Sequence, residues 1–326
     1  MRAAYYERNG SAREVLEIGE VDTPRPARGE VRVRLAMSGV NPSDVKARAG
    51  STRKIAYPRV IPHSDGAGEI DMVGDSVAAT RLGQRVWLWN AQWARAFGTC
   101  AEYVTLPAEQ AVPLPAGISF EVGACLGIPA MTAYHAVAVS GAGPGMTLLV
   151  SGGAGAVGHH AVQFAKAAGA AVVTTISSPE KAALAREAGA DQTIDYKREN
   201  VGERVMSVTG GKGVDAIIEL DIAANARLIP QVLRPRGKVV VYGTGAADGT
   251  VPLMFLLRNA ITVQFIYVYE LDAAERAAAL RAIERALGSG AFKTNIGATF
   301  PLDDVVAAHE AVERGKVLGN VVVEIE

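Results

Sequence analysis

Four glycines, Gly152, Gly153, Gly155 and Gly158, stand between the apolar run Leu148-Leu149-Val150 and a stretch in which Val157, Ala161, Phe164, Ala165 and Ala168 share one helical face. A strand that enters a glycine turn and leaves as a helix has the form needed to take a dinucleotide. The glycines allow a tight turn and a close backbone approach to a pyrophosphate. The first N–H groups of the helix then present partial positive charge to the phosphates. The spacing Gly153-x-Gly155-x-x-Gly158 matches that fingerprint, and Gly152, Gly155, Ala156, Val157 and Gly158 are the residues expected against the phosphates. A glycine turn can also join strand to helix with no ligand. The same alternation repeated downstream favours the nucleotide.

The next strand carries the choice of cofactor. In an NAD site its end usually holds Asp or Glu, about 20 residues past the glycines, bonded to the ribose hydroxyls. Here the sequence is Thr174-Thr175-Ile176-Ser177-Ser178, with Lys181 just beyond. No carboxylate is present to repel a 2′-phosphate, Ser177 and Ser178 offer hydroxyls, and Lys181 supplies charge. NADPH is the expected cofactor. Ser178-Pro179-Glu180 also reads as a helix N-cap with Pro at N1, and the two roles are compatible.

The elements that must position these residues divide the chain by texture. Residues 1–125 hold short strand-like runs, VLEIGEV, EVRVRLAMSGV, GAGEIDMVG, QRVWLW and AEYVTLP, broken by turn residues as in an irregular β-barrel. From 126 onward strand and helix alternate. TLLVSG, AAVVTTI, DQTIDY, VDAIIEL and KVVVYG read as strands, and HHAVQFAKAAG, SPEKAALAREAG and NARLIPQVL as the helices between them. That alternation implies an α/β fold with a doubly wound parallel sheet. The tail holds a helix from about Asp272 to Leu287, the segment PLDDVVAAHEAVERG and a last strand NVVVEI. It is expected to fold back and complete the barrel. The expected domains are therefore 1–125 with 270–326, and 126–269.

Composition bounds the function. A chain of 326 residues is long for one core, and 49% hydrophobic with 21% charged residues is ordinary for a globular enzyme. Net charge is −1 with scattered Lys and Arg, so no nucleic-acid or membrane-surface stripe is expected. Cys100 and Cys125 form no CxxC and no framework, and read as packing residues of a cytoplasmic protein. The segment MRAAYYERNG lacks the apolar run of a signal peptide, and no stretch reaches membrane-spanning length.

Asn41-Pro42-x-Asp44, Asp65-Gly66-Ala67-Gly68, Val73-Gly74-Asp75, Gly83-x-Arg85-Val86, Ala101-Glu102-Tyr103, Ile128-Pro129-x-x-Thr132-Ala133-Tyr134, the glycine turn, Lys181, Tyr196 and Gly319-x-Val321 follow one another in a specific order. With them the chain resembles, almost end to end, the medium-chain dehydrogenases/reductases, and within these the zeta-crystallin-like quinone oxidoreductases. The resemblance implies a GroES-like catalytic domain, a Rossmann domain, NADPH and a homodimer. It implies that Asn41 faces the nicotinamide region and donates to the acceptor oxygen, with Asp44, Tyr57 and Ser64 as further acceptor-site candidates. It also implies cofactor contacts at Thr132, Tyr196, Gly243, Thr244, Phe265, Lys316 and Asn320, the last standing where relatives often have Lys. Asn41 before Pro42 also reads as a plain turn residue.

Zinc-dependent relatives bind a catalytic metal through Cys, His and Cys. At those places this chain has Asn41, Ser64 and Ile128, and the four-cysteine loop is missing. His63 and Asp65 alone leave a donor set short, so no metal is expected. Without a metal to polarise oxygen, the fitting acceptors are already electrophilic: a quinone, or alternatively an enone or alkenal double bond. Positioning and preorganised donors then carry the reaction, and no side chain reads as a general acid. A non-catalytic crystallin-like or RNA-binding protein is the alternative of another class. Finally, ITVQFIYVY is apolar on both faces. If it ends the sheet it needs a cover, and the resemblance implies one: two subunits pair these strands, a homodimer through residues 261–269. The other reading is an internal strand covered by the tail.

Overall fold

The computed structural model describes residues 1–325. In chain order the strands are β1 (Arg2–Tyr5), β2 (Glu17–Glu20), β3 (Glu30–Val40), β4 (Asp65–Val73), β5 (Arg85–Leu88), β6 (Tyr103–Pro107), β7 (Ala111–Pro113), β8 (Thr147–Val150), β9 (Ala171–Ile176), β10 (Gln192–Asp195), β11 (Val214–Glu219), β12 (Leu233–Val241), β13 (Thr262–Phe265), β14 (Ile296–Pro301) and β15 (Asn320–Glu324). The chain forms two compact units, 1–128 with 296–326, and 129–295.

The first unit is built on period-two strands. In β3, Val31, Val33 and Leu35 are fully buried while Arg32 and Arg34 point outward, so one face makes core and the other carries charge. The sheet runs β14-β15-β3-β4-β5-β7, with β6 also paired to β3. The tail closes it as expected: β15 lies antiparallel on β3, from Val321 opposite Val40 to Glu324 opposite Met37. Leu35, Ile61, Ile70, Leu88, Leu106 and Val323 meet in the core, and helix Val305–Arg314 adds Val305 and Ala308. Helix Pro42–Ala49 leaves β3 with three start and stop signals. Asn41 is the N-cap, Pro42 pre-sets the first turn, and Gly50 ends the helix at φ +79°. Cys100 and Cys125 are free and buried in this unit, and burial pushes both thiols well above the ordinary thiol range.

The second unit carries a six-stranded sheet of order β10-β9-β8-β11-β12-β13 with parallel neighbours. Strand order reverses between β8 and β11, the switch point where such sheets take ligands at their C-terminal ends. Helices Ala156–Ala167 and Pro179–Glu187 follow β8 and β9 as the periodicity predicts.

Three expectations need correction. The unit boundary falls at Ile296, not 270, because helix Ala273–Gly288 packs on helix Met131–Ser140 of the nucleotide-type unit. The segment NARLIPQVL is not one helix. It breaks into short turns at Ile222–Asn225, Ala226–Leu228 and Ile229–Val232, since Pro230 has no N–H to donate and its ring crowds the preceding turn. The strand read from 261 to 269 is confined to Thr262–Phe265, and Val268–Glu270 turns into a short 3₁₀ segment. It is an edge strand, bonded only to β12 among the described residues, so the internal reading does not hold. No helix among those residues is long and apolar enough to cross a membrane.

Candidate functional site

In the second unit the expected cofactor residues gather on one rim, because parallel strands end on the same side. Gly152 turns at φ +69°, and a Cβ on Gly158 would sit 2.2 Å from the Gly152 carbonyl oxygen, so helix and turn approach as only glycine permits. Gly155 is the N-cap of helix Ala156–Ala167, and no side chain caps that end. The first-turn N–H groups, those of Ala156, Val157 and Gly158 among them, therefore face outward toward where an anion would sit.

Side chains behind the turn hold it in place. Gly152 N donates to Thr175 Oγ1 at 3.0 Å and Gly153 N to Thr174 Oγ1 at 2.9 Å. Ser151 Oγ donates to Glu219 Oε2 at 2.7 Å. The other Glu219 oxygen accepts from Asp221 N at 2.6 Å and Asn225 Nδ2 at 2.8 Å. Glu219 is only 3% exposed, and it ties the ends of β8 and β11 together across the switch point. Sequence reasoning passed over it. Its signal was an acid directly after the apolar run Ala216-Ile217-Ile218.

At the end of β9, Lys181 Nζ donates to Ser177 Oγ at 3.1 Å, and Ser178 Oγ accepts from Lys181 N at 3.3 Å as the helix cap. The cap reading holds, and it leaves the Lys181 ammonium beside the Ser177 hydroxyl. Tyr196 follows the neighbouring strand, its N–H bonded to Ile176 O at 3.1 Å and its ring 54% exposed. Ser177, Ser178, Lys181 and Tyr196 form one cationic, hydroxyl-rich corner. Gly243 and Thr244 leave β12 on the same rim, where a Cβ on Gly243 would meet Leu220 O at 2.3 Å. Phe265 ends β13 and is 68% exposed. Thr132 lies on helix Met131–Ser140, its Oγ1 buried without a partner among the described residues. An orphaned hydroxyl of this kind is what a bound cofactor would satisfy.

In the first unit the Asn41 cluster is buried. Asn41 N donates to Asp44 Oδ2 at 2.8 Å, closing a capping box, and Asn41 Nδ2 donates to Asp65 Oδ2 at 2.8 Å. Asp65 also accepts from Ile128 N at 2.9 Å. Burial raises the Asp44 carboxyl to about 7, against hydrogen bonds from Asn41 and the Ser64 backbone and the charge of Arg53. Burial and the charge of Asp44 raise Asp65 well above the carboxylate range. The structure thus brings Asn41, Asp44 and Ser64 together around Asp65, a residue the sequence marked only as part of a motif. Tyr57 is placed otherwise: its hydroxyl donates to Ala94 O at 2.7 Å. Lys316 is exposed beyond helix Val305–Arg314, and Asn320 is buried at the start of β15.

Residues 156–285 match the model of the zinc-binding dehydrogenases and residues 27–116 that of the alcohol dehydrogenase GroES-like domain. The quinone oxidoreductase of Rattus norvegicus is 31% identical over 92% of this chain and 90% of that protein. The chain belongs to the quinone oxidoreductase family of the medium-chain dehydrogenases/reductases. The 2-haloacrylate reductase of a Burkholderia species is 28% identical over 99% of this chain and 98% of that protein. The solved Escherichia coli quinone oxidoreductase complexed with NADPH aligns with a TM-score of 0.88 at 27% identity, covering 99% of this chain and 100% of that one.

One of the matching models is named for zinc-binding dehydrogenases, so the donor set matters. At the places where zinc relatives have Cys, His and Cys, the Asn41 amide is committed to Asp65, Ser64 is buried, and Ile128 offers only a backbone N–H already donated to Asp65. Among the described residues no group of three His, Cys, Asp or Glu could hold a metal ion. Ile has no donor atom and Asn and Ser are weak ones, so these residues do not fit zinc.

Proposed function

We propose that this chain is a metal-independent reductase that uses NADPH to reduce quinones. The observation that carries the reading is the corner at the end of β9, where Lys181 and Ser177 are held 3.1 Å apart with no carboxylate on the strand end. NADPH, when bound, supplies the hydride. In this reading Ala156, Val157 and Gly158 hold the pyrophosphate, while Ser177, Ser178 and Lys181 hold the 2′-phosphate. Tyr196 flanks the adenine ribose. Thr132, Gly243 and Thr244 meet the remainder, with Phe265, Lys316 and Asn320 as further contacts.

Asn41 prepares the acceptor. Its Nδ2 carries two hydrogens, and one is donated to Asp65. The second, which lies toward Asp44, is the one we assign to the acceptor oxygen as negative charge develops there. Because Asp65 fixes the amide beforehand, little reorganisation accompanies the reaction. Asp44, with its pKa pushed to about 7, is the carboxyl able to hold and release a proton beside Asn41 near neutral pH.

A steady-state screen of quinones, enones and alcohols with NADPH and NADH tests the reading. Quinone reduction with NADPH is expected to lead, and chelators to leave it unchanged. Alcohol oxidation abolished by a chelator would overturn it. Reduction of an activated carbon–carbon double bond is the second reading, favoured by the full-length match to a 2-haloacrylate reductase.

The assembly follows from the edge of the second unit's sheet. Beside β13, Leu253 and Leu257 are 70% and 74% exposed, and Phe265 and Tyr267 are 68% and 54% exposed. An open strand edge next to a clustered apolar surface is the combination a two-fold partner covers. We read the protein as a cytoplasmic homodimer joined around residues 261–269, with no nucleic-acid or membrane partner, in line with its net charge of −1.

A further inference from the structure

We propose that Arg53 recognises an anionic group on the acceptor, so that the chain prefers acceptors bearing a carboxylate over their neutral counterparts. The proposal rests on the reading above that Asn41 and Asp44 face the acceptor, and it adds the acceptor's chemical class. Arg53 lies in the loop after helix Pro42–Ala49, half-buried. Its guanidinium stands over the Trp93 ring, 5.4 Å from the centroid, and its Nη2 donates to Gln92 Oε1. Gln92 is itself buried, its Nε2 donating to Arg95 O at 2.7 Å. The support is therefore rigid, and both of its components are neutral.

That neutrality distinguishes Arg53 from its neighbours. Arg48 on the same side of the chain is fully buried and committed to Gly10 O and to Glu313. Arg59 pairs with Glu7. Among the described residues no carboxylate pairs with Arg53. Gln92 follows Ala91, whose N–H donates to Ser64 O at 2.9 Å, so the Arg53 support stands beside the Asn41, Asp44 and Ser64 cluster. Burial raises the Asp44 carboxyl, which weakens it as a counter-charge to Arg53. A half-buried guanidinium held by an amide and a ring keeps most of its five donors in a planar fork, the geometry that matches a carboxylate.

The test uses one ring in two forms, a benzoquinone with a carboxyethyl side chain and its methyl ester. A second pair is 2-chloroacrylate and its methyl ester. In the wild type kcat/KM for the acid should exceed that for the ester, and the ratio should shrink as salt rises. Arg53→Gln should lower the acid-to-ester ratio about 10- to 100-fold, the range of a charge-assisted contact. Arg53→Lys should restore part of it, and Arg53→Glu should invert it. Because the readout is a ratio within one protein sample, partial misfolding cancels. An unchanged ratio in Arg53→Gln would overturn the proposal and leave the quinone reading standing. Failure of wild-type protein to reduce either form with NADPH would overturn both.

Discussion

Nε2 of His63 and Nε2 of His309 lie 2.9 Å apart, with the two rings stacked at 5.1 Å. Both rings are fully buried, and His63 adopts φ +76°, a conformation that costs a non-glycine residue about 1–2 kcal/mol. Its other nitrogen meets Ser38 Oγ at 2.8 Å. Burial lowers His63 to about 3. Burial and the charges of His63 and Arg48 lower His309 well below the ordinary range. Two neutral rings can share one hydrogen, whereas two cations could not sit at this distance.

A pH dependence follows. Below about 6.5 the unfolded chain takes up protons that the folded pair refuses. The stability from burying neutral rings is thus present above 6.5 and is lost as pH falls toward about 3. Asp44 acts in the opposite sense: its raised pKa favours the fold below the ordinary 3.8, and that advantage is lost as pH rises through about 7. A difference measurement separates the two. His309→Phe should be destabilised against wild type at pH 7.5, and the gap should narrow by about 1.4 kcal/mol per pH unit below 6.5. Urea unfolding at several pH values reads this, and a gap that does not move with pH would contradict the buried neutral pair.

Lys181→Ala should weaken NADPH by roughly 1.5–3 kcal/mol, as expected for a lost hydrogen bond to a charged group. NADH, which lacks the 2′-phosphate, should bind nearly as before. Fluorescence titration with both cofactors decides it, and equal losses would remove Lys181 from the cofactor site.

Asn41→Ala should lower kcat for quinones about 100- to 1000-fold, the cost of removing one preorganised oxyanion donor. Asp65→Ala should affect both rate and stability. It leaves the Asn41 amide and the Ile128 N–H unsatisfied in a buried site, each at about 1–3 kcal/mol. Steady-state kinetics with thermal unfolding separates the two effects. A fully active, destabilised Asp65→Ala would mean that Asp65 serves the fold alone.

Light scattering at micromolar concentration should find a dimer. Gln264→Pro removes a backbone donor from β13, and Phe265→Lys places charge on the exposed edge; both should yield monomer or insoluble protein. A wild-type monomer would refute the assembly.

What could be read in advance was local in sequence. The glycine turn, the β9 end and the Asn41 cap each lie within a few residues, and their geometry follows from backbone rules. Tyr196 beside Ser177 was also legible, since adjacent parallel strands end together. The Asn41–Asp65–Ile128 tie and the His63–His309 pair join residues far apart in the chain, at separations of 24, 63 and 246. Periodicity carries no information about such contacts. Pro230 was visible and should have broken the expected helix. The placement of helix Ala273–Gly288 could not be read, because periodicity marks an apolar face and not the unit on which it packs.

Cys100 and Cys125 gain a consequence from the proposed chemistry. Thiolates add to the same electrophilic quinones and enones that accept hydride. An enzyme that concentrates them risks arylating itself. Both cysteines are at most 1% exposed, and both are held as neutral thiols by burial. The described chain thus offers its own acceptors no accessible thiol. Self-inactivation should be slow: intact mass after prolonged turnover on excess benzoquinone should be free of cysteine adducts, until the protein is unfolded and both sites label together.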